Sequence, residues 1–260
     1  DLRLRAAQPW VAWLGLRLAS SDAERKLALQ RLRENADLRN PFSCFFLAEV
    51  YLDGKFVERD PAEAIRLLQI AAQAGHALAQ NVLGIRYFTG DGVERKDPAT
   101  AVTWWRKAAD LGCPAAQFNL GRAHAQGQGV SDVNIVEAVS CYRQAADQGH
   151  VLAMYHLALA LESGAGLKQP EPVQAFSWYR RAAAAGHLDA QYKVGSWLRA
   201  GGRGVTANPK EAVGWLRQAA EKSHTEAQLE LGLCYEAGDG LAEKDPRQAA
   251  IWYRKAANAG

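Results

Sequence analysis

The glycines of this 260-residue chain keep a common step. Gly75, Gly112, Gly149, Gly186 and Gly260 fall on one series spaced by 37 residues or a multiple of it, and Ser223 fills the missing term. Three further series run through Gly84, Gly121, Gly195 and Gly232, through Gly90, Gly127, Gly164, Gly201 and Gly238, and through Gly92, Gly129, Gly166 and Gly240, the last with Gly204 displaced by one. A unit of this length buries its apolar face only against its neighbours. The chain is therefore expected to be a tandem array, a solenoid, and not a single-core enzyme fold.

Within one unit, best seen from His76 to Gly112, the punctuation is that of a helical hairpin split by the loop GDGV. The second helix is expected to start at Asp97-Pro98. Asp60-Pro61, Glu171-Pro172, Asn208-Pro209 and Asp245-Pro246 stand at the same place, and Asn134-Ile135 lacks the proline. A polar N-cap ahead of proline starts a helix because its side-chain oxygen takes a free amide and proline has none to satisfy. Three residues after the cap stand Glu63, Glu137, Gln174, Glu211 and Gln248, which predicts the reciprocal half of a capping box, with Thr100 the exception. Each second helix ends at a residue of the first series, where a left-handed glycine closes it.

At about 100° per residue, the second helix gathers Ala101, Trp104, Trp105, Ala108 and Ala109 on one stripe, and Ala212, Trp215, Leu216, Ala219 and Ala220 repeat it. Trp215 is expected to be a core ring whose loss costs about 3–5 kcal/mol. The first helix buries Ala79, Leu83, Gly84 and Tyr87. A glycine in mid-helix costs about 1 kcal/mol relative to alanine, so its recurrence predicts a helix crossing too close for a side chain.

The strings A-Q-x-x-L-G-x-x-Y-x-x-G-x-G-V and D-P-x-x-A-x-x-W-x-R-K-A-A-x-x-G closely resemble the Sel-1-like repeat, a relative of the tetratricopeptide repeat. The resemblance covers six units, about 41–75, 76–112, 113–149, 150–186, 187–223 and 224–260. Departures are Leu157-Ala158 for L-G, Met154 for Gln, Leu161 and Leu198 for Tyr, and Cys141 for Trp. The resemblance implies an all-α superhelix of antiparallel hairpins whose members are adaptors and scaffolds, often in bacterial secretion, envelope assembly, signalling or host contact. It also leaves two alternatives: a hydrolase of cell-wall or β-lactam-like substrates, and an oligomerisation module of a longer bacterial envelope protein. Residues 1–40 lack the full motif, yet Leu14-Gly15 and Ala28, Leu32 and Ala36 sit where an N-terminal helical cap or a degenerate hairpin places them.

Other chemistries find little support. His76, His150, His187 and His224, with Cys113, form a column, but equivalent positions in successive repeats are about 8–10 Å apart, too far for a shared zinc ion, and a capping role is expected instead. Each G-x-G follows a helix and opens no phosphate loop. No cofactor, metal or catalytic residue is assigned. Cys44, Cys113, Cys141 and Cys234 lack a pairing geometry and are expected to be free, buried thiols, which favours a reducing compartment such as the cytoplasm over the periplasm. The net charge of +3 is too small for a phosphate-neutralising field, so no nucleic-acid partner is expected. No apolar run approaches the ~18 residues of a membrane span, and a soluble chain is expected. Arg106, Arg143, Arg180, Arg217 and Arg254 make a basic column, read as a solvated flank.

The candidate site lies on the first helices. One varying column reads Phe45, Asn81, Phe118, Tyr155, Tyr192, Leu229, and the next turn adds Ile85, Arg122, Leu159, Ser196 and Leu233. Phe118, Tyr155 and Tyr192, with Arg122 and Lys193 beside them, are expected to line a concave groove that holds a protein or peptide partner with acidic groups. The alternative is that the column packs between adjacent first helices. Ile251, Trp252, Tyr253 and Ala256 belong to a helix that ordinarily receives a following unit, so fraying or self-association there is expected, and so is a cut at a repeat boundary.

Overall fold

The computed structural model describes residues 2–259, with side chains placed from Pro9 to Asn258. Fourteen helices lie among them, and no strand beyond one isolated bridge between Gly202 and Val205. The chain divides into two units, residues 1–134 and 135–260. The first holds α1 (Leu2–Leu18), α2 (Asp22–Asp37), α3 (Pro41–Asp53), α4 (Pro61–Gln73), α5 (Ala77–Thr89), α6 (Pro98–Asp110) and α7 (Pro114–Gln126). The second holds α8 (Ile135–Asp147), α9 (Val151–Ser163), α10 (Pro172–Ala184), α11 (Leu188–Ala200), α12 (Pro209–Glu221), α13 (Thr225–Ala237) and α14 (Pro246–Ala259). Inside each unit every helix packs on the next in sequence. The odd-numbered helices from α3 onward open a repeat and the even-numbered ones from α4 close it.

At the start, α1 and α2 pair with Ala28, Leu32 and Ala36 buried between them, and Trp13 stacks on Phe46 of α3 at 5.1 Å. In the repeats, the mid-helix glycines meet the second helix of their own hairpin. A Cβ on Gly84 would stand 2.5 Å from Trp105 Nε1, one on Gly195 2.7 Å from Leu216 Cγ, and one on Gly232 2.5 Å from Tyr253 Cε1. The crossing is as tight as the sequence predicts. Its deep column is Trp105, Tyr142, Tyr179 and Leu216, all buried. Trp104, Trp178 and Trp215 are only half-buried, so the stripe is rotated by about one residue from the expected one, and Val102, Val139 and Val213 take part in it.

The caps also differ from the expected pattern in one respect. Asp60, Asp97 and Asn208 accept from the amides of Glu63, Thr100 and Glu211, as an N-cap does. Ser21 with Glu24 forms a reciprocal box, but Glu63 turns away to pair with Arg66. The reason is that the cap's own amide is already spent. Asp97 N donates to Tyr87 O at 2.7 Å, and Asp60, Glu171, Asn208 and Asp245 donate likewise to Tyr51, Leu161, Leu198 and Tyr235. That bond ties the second helix to the last turn of the first.

Two further columns join successive repeats. His76, His150, His187 and His224 cap first helices, each Nδ1 accepting from the amide three residues on at 3.1–3.3 Å. Buried Gln80, Gln191 and Gln228 donate through Nε2 to the carbonyls of Ala72, Ala183 and Ala220, closing the helix that precedes them. Met154, at the equivalent place, has no amide to offer.

Candidate functional site

The column expected to line a groove sits partly inside the structure. Phe45 stacks on His76 at 4.7 Å, Tyr155 on His187 at 4.3 Å and Tyr192 on His224 at 5.0 Å. Each ring of one repeat thus covers the capping histidine of the next, so the column packs between adjacent first helices. Phe118 is 5% exposed and too deep to meet a partner, whereas Tyr155 and Tyr192 are half-buried. Burial, with neighbouring carboxylates second, raises the Tyr155 and Tyr192 hydroxyls above their ordinary range. Burial also holds His76, His150 and His187 below theirs.

Lys193 is engaged. Its Nζ lies 3.2 Å from Glu162 Oε2, which also accepts from the Tyr179 hydroxyl at 2.7 Å, while Arg203 binds the other oxygen at 2.9 Å. Burial pushes the Glu162 carboxyl up, but these donors outweigh it and the net displacement is downward. The expected positive flank is therefore neutralised at Lys193. Glu230 plays the same part between α11 and α13, accepting from Ser196 at 3.0 Å and lying 3.4 Å from Arg199.

In the first unit the seam between α5 and α7 is open. A cavity of about 350 Å³ is lined by Ile85, Phe88 and Trp105, with Asn119, Arg122 and Gln126 among its polar groups. The Trp105 indole N–H is tied at 3.2 Å to Asn81 O, and Asn119 Nδ2 donates to Asn81 Oδ1 at 3.0 Å. Arg122 is exposed, its guanidinium 5.9 Å from the Phe118 ring. Phe88 and Trp105 were absent from the expected site. The signal for them is the column Phe88, Ala125, Glu162, Arg199, Glu236, which changes in polarity from repeat to repeat.

Among the described residues no group of three His, Cys, Asp or Glu side chains has metal-holding geometry. The four cysteines are free and buried, and burial pushes the Cys234 thiol up to about 11. Such thiols are poor nucleophiles near neutral pH. The basic column is exposed as expected; Arg180 pairs with Glu211 at 2.7 Å and Arg217 donates to the Tyr235 hydroxyl at 3.1 Å. No described helix is long and apolar enough to cross a membrane.

A family model described as Sel1 repeat matches residues 41–76, 77–113, 114–150, 151–187, 188–224 and 225–260. No curated protein matches the sequence. Among solved structures, c5321, a protective antigen present in uropathogenic Escherichia coli strains displaying an SLR fold, is 32% identical and aligns over 89% of this chain with a TM-score of 0.83. The chain spans 49% of the length of c5321. A Sel1 repeat protein from Oxalobacter formigenes is 35% identical over 82% of each chain, with a TM-score of 0.71. Repeats matched one after another along the sequence, and an all-α repeat solenoid matched in three dimensions, make this chain a member of the Sel1 repeat family.

Proposed function

We propose that the chain is a non-catalytic adaptor that holds a segment of another protein against the outward positions of its first helices. The observation that carries this reading is a contrast between frame and surface. Caps, glycines and small residues recur in each repeat, while the outward columns change and leave Ile85, Leu229 and Leu233 exposed at 37%, 49% and 38%. Large apolar side chains held out by a rigid frame are the material of a binding surface. Sel1 repeat proteins are generally scaffolds of this kind. In the second unit Tyr155 and Tyr192 contribute their half-exposed edges, and in the first Arg122 contributes a positive charge that favours an acidic partner. Phe118, buried, and Lys193, already paired, lie outside the proposed surface.

Affinity capture followed by mass spectrometry supplies a partner, which is then purified and titrated against the wild type, Ile85→Asp and Leu229→Asp. Binding weakened about tenfold or more by either variant, at a melting temperature near wild type, supports the reading. Unchanged binding by both folded variants rejects it.

A further inference from the structure

The seams between consecutive first helices are not alike, and the one between α5 and α7 points to a ligand. At two of them the chain brings its own carboxylate to its own cation. Glu162 of α9 binds Lys193 on α11, and Glu230 of α13 binds Arg199 on α11. At the α5–α7 seam Asn119 stands where Lys193 stands two repeats on, and the cation nearby is Arg122, which no carboxylate reaches among the described residues. Phe88 stands there where Glu162 stands two repeats on, and Ala123 where Trp197 stands. Trp197 fills its seam by stacking on Phe176 at 5.9 Å. Ala123 leaves the space that becomes the cavity of about 350 Å³. The seam thus lacks one large apolar side chain and one carboxylate, and it offers Ile85 and Phe88, above the buried Trp105, to the first and Arg122 to the second.

We propose that the α5–α7 seam binds a partner segment that inserts one large apolar side chain beside Ile85 and Phe88, with the buried Trp105 indole as the floor beneath them, and sets a neighbouring Asp or Glu side chain on Arg122. Gln126 and Gln128, both exposed at the rim, supply amide donors and acceptors for the backbone of that segment. A side-chain carboxylate is favoured over a chain terminus because Glu162 and Glu230 fill this role elsewhere in the molecule. The inference rests on the adaptor reading and names its ligand chemistry at one seam.

The test uses the full chain, 15N-labelled, and three blocked or free peptides: acetyl-Ala-Ala-Phe-Glu-Ala-amide, the same peptide with Gln for Glu, and acetyl-Ala-Ala-Phe with a free C-terminus. The indole N–H resonance of Trp105, assigned by Trp105→Phe, reports occupancy. The Glu peptide is expected to shift it and to bind roughly fivefold to tenfold more tightly than the Gln peptide, and Arg122→Gln is expected to abolish that difference while leaving the shift. Equal affinity of the Glu and Gln peptides for the wild type overturns the carboxylate. Tighter binding of the free C-terminus overturns the choice of a side-chain acid. No shift with any peptide overturns the site. The adaptor reading falls only by its own test, when Ile85→Asp and Leu229→Asp leave a purified partner's binding unchanged.

Discussion

A Cβ on Gly84 would meet the Trp105 indole at 2.5 Å, and that ring is held by its bond to Asn81 O. Gly84→Ala is therefore expected to destabilise the chain by about 1–3 kcal/mol, the cost of overpacking. Gly214 on α12 is exposed, and a Cβ there would meet nothing within 4 Å. Gly214→Ala is expected to stabilise by about 0.5–1 kcal/mol, the helix-propensity difference alone. Urea denaturation of the two variants checks both signs. The capping histidines give a second prediction. Burial lowers His76, His150 and His187 from their ordinary 6.5, so the unfolded chain takes up these protons at higher pH than the folded chain does. Their contribution is complete above about 6.5 and is lost as the pH falls from there through the lower folded values. Asp97 and Glu24, also lowered, act only near and below their ordinary 3.8 and 4.5. Melting temperatures at pH 7.5 and 5.5 should therefore differ, with the folded state weaker at 5.5. His187→Asn, which keeps a cap oxygen, should narrow the gap; an unchanged gap would remove this histidine from the effect.

At the scale of the helix, periodicity gives azimuth more surely than depth. The stripe on α12 was legible from Ala212, Leu216 and Ala219, all buried. Which of two adjacent large residues faces the crossing was not, because that depends on where Gly195 of α11 comes closest. Leu216 is fully buried against Gly195, and half-buried Trp215 turns its indole N–H to Glu211 at 3.2 Å. Leu216→Ala is expected to cost about 2–5 kcal/mol and Trp215→Ala under about 2 kcal/mol. Chemical denaturation giving the reverse order would mean that Trp215 carries the packing. The same limit explains the candidate site. Phe118 and Leu229 share one column, yet they are 5% and 49% exposed. A column's angle on its helix is written in the sequence; what the next repeat lays over it depends on side chains in the following unit, such as His76 over Phe45. The caps were legible where Asp-Pro is local chemistry. The reciprocal boxes expected at Glu63 and Glu211 do not form, because the cap amide is claimed by a carbonyl across the loop.

For the chain as a whole, exposed apolar residues gather on α1, whereas α14 exposes Ile251 but buries Trp252 and Ala256, which the sequence places on an open face. Trp10, Val11, Leu14 and Leu18 are 49%, 59%, 52% and 78% exposed, and Ile251 is 44% exposed. A row such as that on α1 buries readily against a second copy. Sedimentation over a wide concentration range is expected to show a rising average mass, reduced by Ile251→Lys or Leu14→Lys; a constant monomer mass would reject self-association through these helices. The bond from each cap amide to the preceding helix carries a different consequence, for how such a gene can change length. Asp97 to Tyr87, Asn208 to Leu198 and Asp245 to Tyr235 span the same interval, and only the first repeat shortens it by one residue, from Asp60 to Tyr51, at 3.1 Å. Duplication or loss of a whole repeat by recombination leaves each cap amide facing the carbonyl it already had, because both lie in one hairpin. A lineage can thus lengthen or trim the array in steps of one unit without disturbing the fold of any single hairpin, and the outward columns are left free to diverge with each copy.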